Sequence, residues 1–219
     1  ARETRNTVTS WPSAIIRIPG AHYGAESSPL YVSAEMPGQK RFATDTPFTL
    51  SDDEACLNTI CQIIYSFLDN CGVERSKILG MGVCIAGRVN PATGHSYMFF
   101  TGSGKSLKEN IEEATGVTVL VENDTRARCF AEYYSGDSVK EKNMLYLHLG
   151  KGVAIGIIAE GKLYYGKSGF AGEFGHTPFF NNEIICSCGK KGCLETEVSG
   201  IAIENKMAVQ IASGVNTIL

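Results

Sequence analysis

The pattern of apolar and polar positions is clearest after residue 50, where a helix is predicted. Ser51 and Glu54 have the spacing of a capping box, which marks a helix start. Apolar residues then recur at helical spacing until Gly72 ends the run, at Leu57, Ile60, Cys61, Ile64, Phe67, Leu68 and Cys71. Residues 1–43 are harder to interpret, with candidate strands at 14–18 and 30–33.

Strands and helices alternate in the next part of the chain. A second capping box, Ser106 with Glu109, opens a helix that Gly116 ends. The predicted elements are a strand at 78–85, a helix from 106 to 114, a strand at 117–121 and a helix at 125–134. Strand, helix, strand and helix in this order predict a parallel sheet with crossover helices.

Consecutive strands replace this alternation further along the chain. Strands are predicted at 144–149 and 153–159, and Glu160-Gly161 turns the chain into a third strand at 162–165. An amphipathic helix follows Ser199 and covers 201–211. The change near residue 123 predicts two α/β lobes, 1–122 and 123–219. Two such lobes would bind a ligand in a cleft at the carboxyl ends of their strands.

Composition indicates an ordinary globular protein. Of its 219 residues 43% are hydrophobic and 20% charged. The net charge of −3, without a block of Lys or Arg, argues against a nucleic-acid surface. No long apolar run or signal-peptide core points to a membrane or to export. Five cysteines occupy core-like positions, which favours a reduced, cytoplasmic chain with few or no disulfides; they are Cys56, Cys61, Cys71, Cys84 and Cys129.

One histidine and three cysteines fall within the segment 176–193 and predict a structural zinc site. The four candidate ligands are His176, Cys186, Cys188 and Cys193. Cys₃His is a common closed set for Zn²⁺, which takes four tetrahedral ligands. Gly189 and Gly192 supply the backbone freedom that a sharp metal-binding turn needs. Four unrelated residues are the alternative, and the placement of these glycines argues against it.

These motifs resemble those of the ROK family (repressor, open reading frame, kinase), which contains sugar kinases and sugar-sensing transcription factors. The resemblance rests on G-E-F-G-H at 172–176, C-S-C-G-K-K-G-C-L-E at 186–195, E-N-D at 122–124 and, more weakly, the turn at 85–89. It covers residues 45–212. It implies the actin-like (ribonuclease H-like), two-lobed α/β fold of the sugar kinase, Hsp70 and actin superfamily. The second lobe is expected to be incomplete and segments to be missing at both ends.

Asp124 stands where a strand ends and a helix begins, so its carboxylate is either a cleft residue or a helix cap. The resemblance implies that it is the catalytic base in a kinase, or a sugar ligand in a repressor. By the same resemblance Asn123, Glu173, His176 and Glu195 belong to the sugar-contacting set. His176 would bind zinc through one ring nitrogen and face a sugar hydroxyl or an orienting partner with the other. Three loop charges are expected to be solvated, namely Glu183, Lys190 and Lys191.

Two departures from the kinase pattern favour a regulator. Residues 1–50 contain no D-x-G-G-T-type phosphate turn, and the second phosphate turn at 149–156 carries Val153 and Ala154 in place of glycines. The sequence therefore predicts the sugar-binding body of a ROK repressor, with a monosaccharide or sugar phosphate as effector. The family implies a homodimer or homotetramer. DNA binding would need a helix-turn-helix, which residues 1–45 do not show.

Two alternatives stay open at this point. One is an ATP- and Mg²⁺-dependent kinase for hexoses or N-acetylhexosamines, with Asp124 as general base. The other is a purely structural zinc module, which leaves the carboxylates around the metal loop unexplained.

Overall fold

The computed structural model describes residues 13–18, 28–35, 42–135 and 141–215. Contacts divide these residues into two compact units, which meet in the sequence between Asp124 and Thr125. The predicted strands at 14–18 and 30–33 lie within two strands of the first unit.

The first unit is built on a sheet and a short hairpin. Its strands are β1 (Ser13–Ile18), β2 (Ser28–Glu35), β3 (Phe42–Phe48), β4 (Gly80–Ile85), β5 (Val89–Asn90), β6 (His95–Ser96) and β7 (Val119–Asn123). The sheet has the order β3-β2-β1-β4-β7, and β5 pairs with β6. β4 runs parallel to both β1 and β7, which confirms the predicted parallel sheet, whereas β1, β2 and β3 are antiparallel. The sequence did not predict β3.

Two helices pack on this sheet and enclose an apolar core. They are α1 (Glu54–Asn70) and α2 (Leu107–Thr115), both predicted from the sequence. Alternate residues of β4 and β7 are buried, as the period of a strand requires. The core joins both strands to both helices, and its fully enclosed members include Ile60, Ile64, Val83, Ile85, Leu107, Ile111 and Val119.

The caps of these helices agree with the sequence at one position and differ at the other. Ser106 and Glu109 form the predicted capping box, and Gly116 ends α2 at a φ of 71°. The predicted box of Ser51 and Glu54 is wrong, because Asp53 caps α1 and its carboxylate accepts from Cys56 N–H at 2.7 Å. Aspartate is as good a cap as serine, so the pattern could not separate the two.

The second unit consists of helices around a short antiparallel sheet. Its elements are α3 (Asp124–Ser135), β8 (Met144–Leu149), β9 (Val153–Ala159), β10 (Lys162–Leu163), α4 (Glu195–Val198) and α5 (Gly200–Ala212), and α3 begins with the last residue of the first unit. β9 lies between β8 and β10. Glu160 and Gly161 both have positive φ, as the predicted tight turn requires. The third strand is shorter than predicted and ends at Leu163.

The eight cysteines, all of which lie in the described residues, form no disulfide with one another. Cys56, Cys71 and Cys129 are buried, and Cys61 and Cys84 are half-buried, in line with their predicted core positions. Among the helices of the described residues, none combines the length and hydropathy that a bilayer crossing needs.

Candidate functional site

The segment G-E-F-G-H rests on the backbone of β9. Gly172 O accepts a hydrogen bond from Ile155 N–H at 3.0 Å, and a Cβ added to Gly172 would lie only 2.0 Å from Ile155 O. A Cβ on Gly175 would lie 2.2 Å from Val153 O. Both glycines are therefore required by close backbone contact. They hold the 3₁₀ turn Phe174–His176, and with it the imidazole, at a fixed place on the strand.

Residues 176–193, the Cys/His knuckle, then fold back in two tight turns. Cys186 N–H donates to Lys190 O at 2.8 Å, and Gly189, at a φ of 83°, closes the inner turn by donating to Cys186 O. Gly192 has a φ of 72°, and its carbonyl accepts from the N–H groups of Phe179 and Phe180. The predicted role of both glycines in bending the chain is therefore confirmed.

The knuckle brings the four predicted metal ligands together. One ligand atom from each of His176, Cys186, Cys188 and Cys193 lies within 4.8 Å of all the others. His176 Nδ1 is 3.4 Å from Cys186 Sγ, and Cys188 Sγ is 3.6 Å from Cys193 Sγ. Tetrahedral Zn²⁺ places such ligand atoms about 3.5–3.8 Å apart, since Zn–S is about 2.3 Å and Zn–N about 2.0 Å. The donor set and these two distances fit a zinc ion.

Two of the thiols have pKa values shifted in opposite directions. Burial, followed by the neighbouring thiols of Cys188 and Cys186, raises the pKa of Cys193 to about 12. Burial also acts to raise the pKa of Cys188, but hydrogen bonds from Lys190 N–H and the other thiols outweigh it and the pKa is lowered. A divalent metal would compensate the negative charge that ligation by three thiolates creates.

The second ring nitrogen of His176 faces Glu173. Its Nε2 lies 3.8 Å from Glu173 Oε2, slightly beyond a direct hydrogen bond. Lys190, expected only as a solvated charge, donates from Nζ to His176 O at 2.7 Å and ties the knuckle to the 3₁₀ turn. Lys191 pairs with Glu183 on the surface.

Glu195 connects the end of the knuckle to the β8–β9 hairpin. As the first residue of α4, it accepts a hydrogen bond from Val153 N–H at 2.8 Å. The hairpin turn is closed by its own backbone, because Gly150 N–H donates to Gly152 O at 3.0 Å. Gly150 O in turn accepts from the N–H of Gly200, at the start of α5.

In the first unit, Asn123 and Asp124 stand at the carboxyl end of β7. The side chain of Asn123 is buried, and its Nδ2 donates to Gly87 O at 3.0 Å and to Asp124 Oδ1 at 3.3 Å. Gly87, at a φ of 84°, belongs to the turn at 85–89 that follows the neighbouring parallel strand β4. Each unit thus gathers part of the predicted sugar-contacting set, and a common sugar site stays a prediction.

An open groove of about 800 Å³ also lies in the first unit, between the β5–β6 hairpin and the start of α2. His95, Tyr97, Lys105 and Lys108 are among the residues that line it. None of the predicted site residues borders this groove, so it is separate from the carboxyl end of β7.

Sequence reasoning missed Arg126, which is buried in the second unit. Its Nη1 donates to Gly169 O at 2.5 Å, and its guanidinium lies 5.4 Å from the centre of the Tyr165 ring. A charged side chain with 2% exposure requires such partners. It holds the loop before Gly172, and its only signal in the sequence is an arginine in the first turn of a helix.

Comparison with known proteins identifies the family. The sequence model of the ROK family matches residues 48–213. The chain belongs to the ROK family. Its curated relatives include a glucokinase of Halalkalibacterium halodurans, 37% identical over 59% of this chain, and the xylose repressor of Bacillus subtilis, 30% identical over 68%. The N-acetylglucosamine repressor of Escherichia coli is 30% identical over 74%. This ROK chain spans about two fifths of each relative's length, namely 40%, 39% and 39%.

Solved structures give the fold. A ROK family transcriptional regulator, a homolog of the E. coli MLC protein, superposes with a TM-score of 0.77 at 26% identity, over 96% of this chain and 52% of that protein. A ROK glucokinase from Streptomyces griseus, in complex with glucose and AMPPNP, gives 0.72 at 24% identity, over 92% and 62%. The predicted actin-like α/β fold of ROK sugar kinases and regulators is confirmed.

Proposed function

We propose that this chain is the sugar-binding body of a ROK transcriptional regulator, with a monosaccharide or sugar phosphate as its effector. Both regulators and kinases occur among its relatives, and their names include glucokinase, xylose repressor and N-acetylglucosamine repressor. The sugar ligands are Asn123 and Asp124 in the first unit, and Glu173, His176 and Glu195 in the second. A regulator would bind DNA through a separate helix-turn-helix and act as a homodimer or homotetramer.

The observation that carries this proposal is the hairpin turn at 149–156. A phosphate-binding turn presents unpaired backbone N–H groups to the nucleotide. Here the N–H groups of Gly150 and Val153 already donate, to Gly152 O and to Glu195 Oε2 respectively. The side chain of Val153, which is buried, also occupies a position where a kinase would need glycine. These bonds support a chain that binds sugar without ATP.

The proposed zinc ion is structural in this reading. Four protein ligands leave no open coordination position for an activated water. When bound, the metal would hold the knuckle so that His176 keeps its Nε2 toward Glu173 and Glu195 stays at the end of the loop. The residues themselves do the binding, because two carboxylates and an imidazole nitrogen offer hydrogen-bond partners for sugar hydroxyls.

A direct test measures turnover and binding together. Purified protein is incubated with Mg-ATP and a panel of hexoses, pentoses and sugar phosphates, and ADP release and thermal unfolding are followed. We expect one or more sugars to stabilise the fold, by about 2.7 kcal/mol at a hundredfold excess over Kd, without sugar-dependent ADP release. Asp124→Asn should abolish the stabilisation. Asp69→Asn is the matched control and should retain it, because this α1 residue only forms an ion pair with Arg75 away from the proposed ligands.

The kinase alternative keeps support from one structural observation and one comparison. Asp124 follows β7 beside the Gly87 turn, where a general base for a sugar hydroxyl would stand, and a glucokinase is 37% identical over the matched region. Sugar-dependent ADP release that is lost in Asp124→Asn would establish this alternative and overturn the proposal of a regulator.

A further inference from the structure

Met98 lies against the glycine turn of the first unit. A Cβ built on Gly87 would be 2.7 Å from Met98 Sδ and 3.2 Å from its Cβ, so the methionine side chain covers the face of the glycine. The carbonyl of the same glycine accepts from Asn123 Nδ2, and Asn123 Nδ2 also reaches Asp124 Oδ1. Gly87 therefore contacts both Met98 and Asn123, which is one of the proposed sugar ligands of this unit.

The backbone on both sides of Met98 is fixed. The N–H groups of Met98 and Phe99 point to the hydroxyl of Ser96, at 3.4 and 3.1 Å, and Ser96 is buried. Phe100 has a φ of 62°, a conformation that costs a non-glycine residue about 1–2 kcal/mol. Its ring is buried, and its N–H donates to the carboxylate of Asp52. A strained residue held by its surroundings is typical of functional sites.

Tyr97 and Met98, two exposed neighbours in this segment, face different parts of the first unit. Tyr97 lines the groove beside the β5–β6 hairpin, whereas Met98 does not border that groove and lies on the Gly87 turn. Met98 is nevertheless 42% exposed. The structure thus presents an apolar, polarisable side chain to solvent at the edge of a polar cluster, from a segment whose backbone N–H groups donate to Ser96 and Asp52.

The chemistry of a thioether decides which sugar substituent would suit this position. A sulfur flanked by methylene and methyl groups is a weak acceptor and donates nothing. A sugar hydroxyl placed against it would lose water without gaining a partner, which is unfavourable. A methyl group placed there would gain contact area and dispersion with a side chain that adapts its shape.

We infer that Met98 forms an apolar wall of the carbohydrate site and selects a sugar with an acetamido group over one with a hydroxyl at the same carbon. This inference rests on the proposed sugar-binding function and names the ligand class within it. The methyl of the acetamido group contacts the thioether, and its amide remains within reach of the polar edge.

The test compares sugars that differ only in this substituent. Glucose with N-acetylglucosamine, and mannose with N-acetylmannosamine, are titrated by calorimetry against wild type, Met98→Ala and Met98→Leu. We expect wild type to bind one acetamido sugar at least about tenfold more tightly than its parent hexose. Met98→Ala should weaken the acetamido sugar roughly fivefold to tenfold and the parent hexose less than about twofold. Met98→Leu should retain the preference, because it keeps the apolar contact.

Leu79→Ala removes a comparable exposed apolar side chain from the same unit and is the matched control, with no expected change for either sugar. Equal weakening of both sugars by Met98→Ala would show a structural role and overturn the inference. An unchanged preference in Met98→Ala, or a wild type that prefers the parent hexose, would also overturn it while leaving sugar binding intact. A wild type that binds no sugar would overturn the proposed function as well.

Discussion

The first unit and the Cys/His knuckle of the second unit are each stabilised in a different way. In the first unit, side chains such as Ile60, Ile64 and Ile111 are fully enclosed between the sheet and its helices. The knuckle, all of whose residues are described, buries only Cys186, Gly192 and Cys193. Its large apolar residues face outward, and Phe179 and Ile185 are each 70% exposed.

This difference shows what each region needs in order to keep its shape. Burial of apolar surface stabilises the first unit by itself, at roughly 25 cal/mol for each Å² removed from water. The knuckle gains little from burial and depends on backbone hydrogen bonds, two glycines in left-handed conformations and the gathered thiols. A short loop of this kind is stable when a metal cross-links it. Among the candidate binding residues of the second unit, Glu173 precedes the loop, His176 begins it and Glu195 follows it, so a metal bound there would affect all three.

The largest expected effect is the loss of the metal from the knuckle. We expect about one zinc per chain by elemental analysis, and none in Cys188→Ser or Cys193→Ser. Structural zinc contributes about 10–16 kcal/mol of apparent binding free energy in small zinc-finger peptides. Removal should therefore release the knuckle to rapid hydrogen exchange while α1 and α2 stay protected. The control Cys61→Ser removes a half-buried thiol of α1, and this variant should keep the zinc content of the wild type. Full zinc content in the Cys193 variant would contradict the assigned ligands.

A cavity introduced into the core of the first unit should lower the stability of that unit and leave the zinc content unchanged. Ile111 is 0% exposed, and Ile111→Ala should lower the free energy of unfolding of this unit by about 2–5 kcal/mol. Urea unfolding measures this loss, and zinc content should be unchanged. Leu120→Ala, at an exposed position of β7, should change stability by less than about 0.5 kcal/mol. If Ile111→Ala also lost its zinc, the two regions would not be stabilised separately.

The two knuckle glycines offer a finer comparison. Both have positive φ, so alanine at either one costs about 1 kcal/mol in backbone conformation. At Gly192 the added Cβ would also lie 2.0 Å from Phe180 O, whereas at Gly189 it would meet open space. We therefore expect Gly192→Ala to weaken zinc binding more than about tenfold, and Gly189→Ala clearly less. Competition with a chromophoric chelator measures both, and equal losses would refute the contact argument.

The smallest expected effect is a pH-dependent loss of stability when the capping box of α2 is altered. Ser106, through its N–H and then its hydroxyl, lowers the pKa of Glu109 below its ordinary value of 4.5. A carboxyl with a lowered pKa contributes stability that is present above 4.5 and is lost as the pH falls through the folded-state pKa. Glu109→Gln should therefore be less stable than wild type at about pH 7, and the difference should shrink by about pH 4. Urea midpoints at both values test this, and a pH-independent difference would be evidence against it.

Local patterns were enough to predict much of this molecule. The apolar repeat of α1, the capping box of α2 and the alternation in β4 and β7 each depend on residues a few positions apart. The four candidate metal ligands lie within one short segment, so their spacing could be read directly. In each of these cases the physical cause is local in the sequence.

What escaped prediction depends on distant partners. Asp52, the residue before the cap of α1, accepts a hydrogen bond from Phe100 N–H, 48 positions away. Glu195 accepts from Val153 N–H across 42 positions, and no local pattern reveals that bond. The strand β3 contains Pro47 and polar residues, and its place in the sheet comes from pairing with β2. Such features follow from the tertiary fold.

The contact of Gly172 and Gly175 with the backbone of β9 has a consequence for how this sequence tolerates change. Each glycine lies so near a carbonyl that even a methyl group would push the strand and the loop apart. Glu173, a proposed sugar ligand, and Phe174 stand between them, and Phe174, with 41% exposure, can be replaced by many residues at little cost. In a saturation mutagenesis profile read out by folding, positions 172 and 175 would be intolerant and position 174 permissive, a signature of spacing fixed by backbone contact.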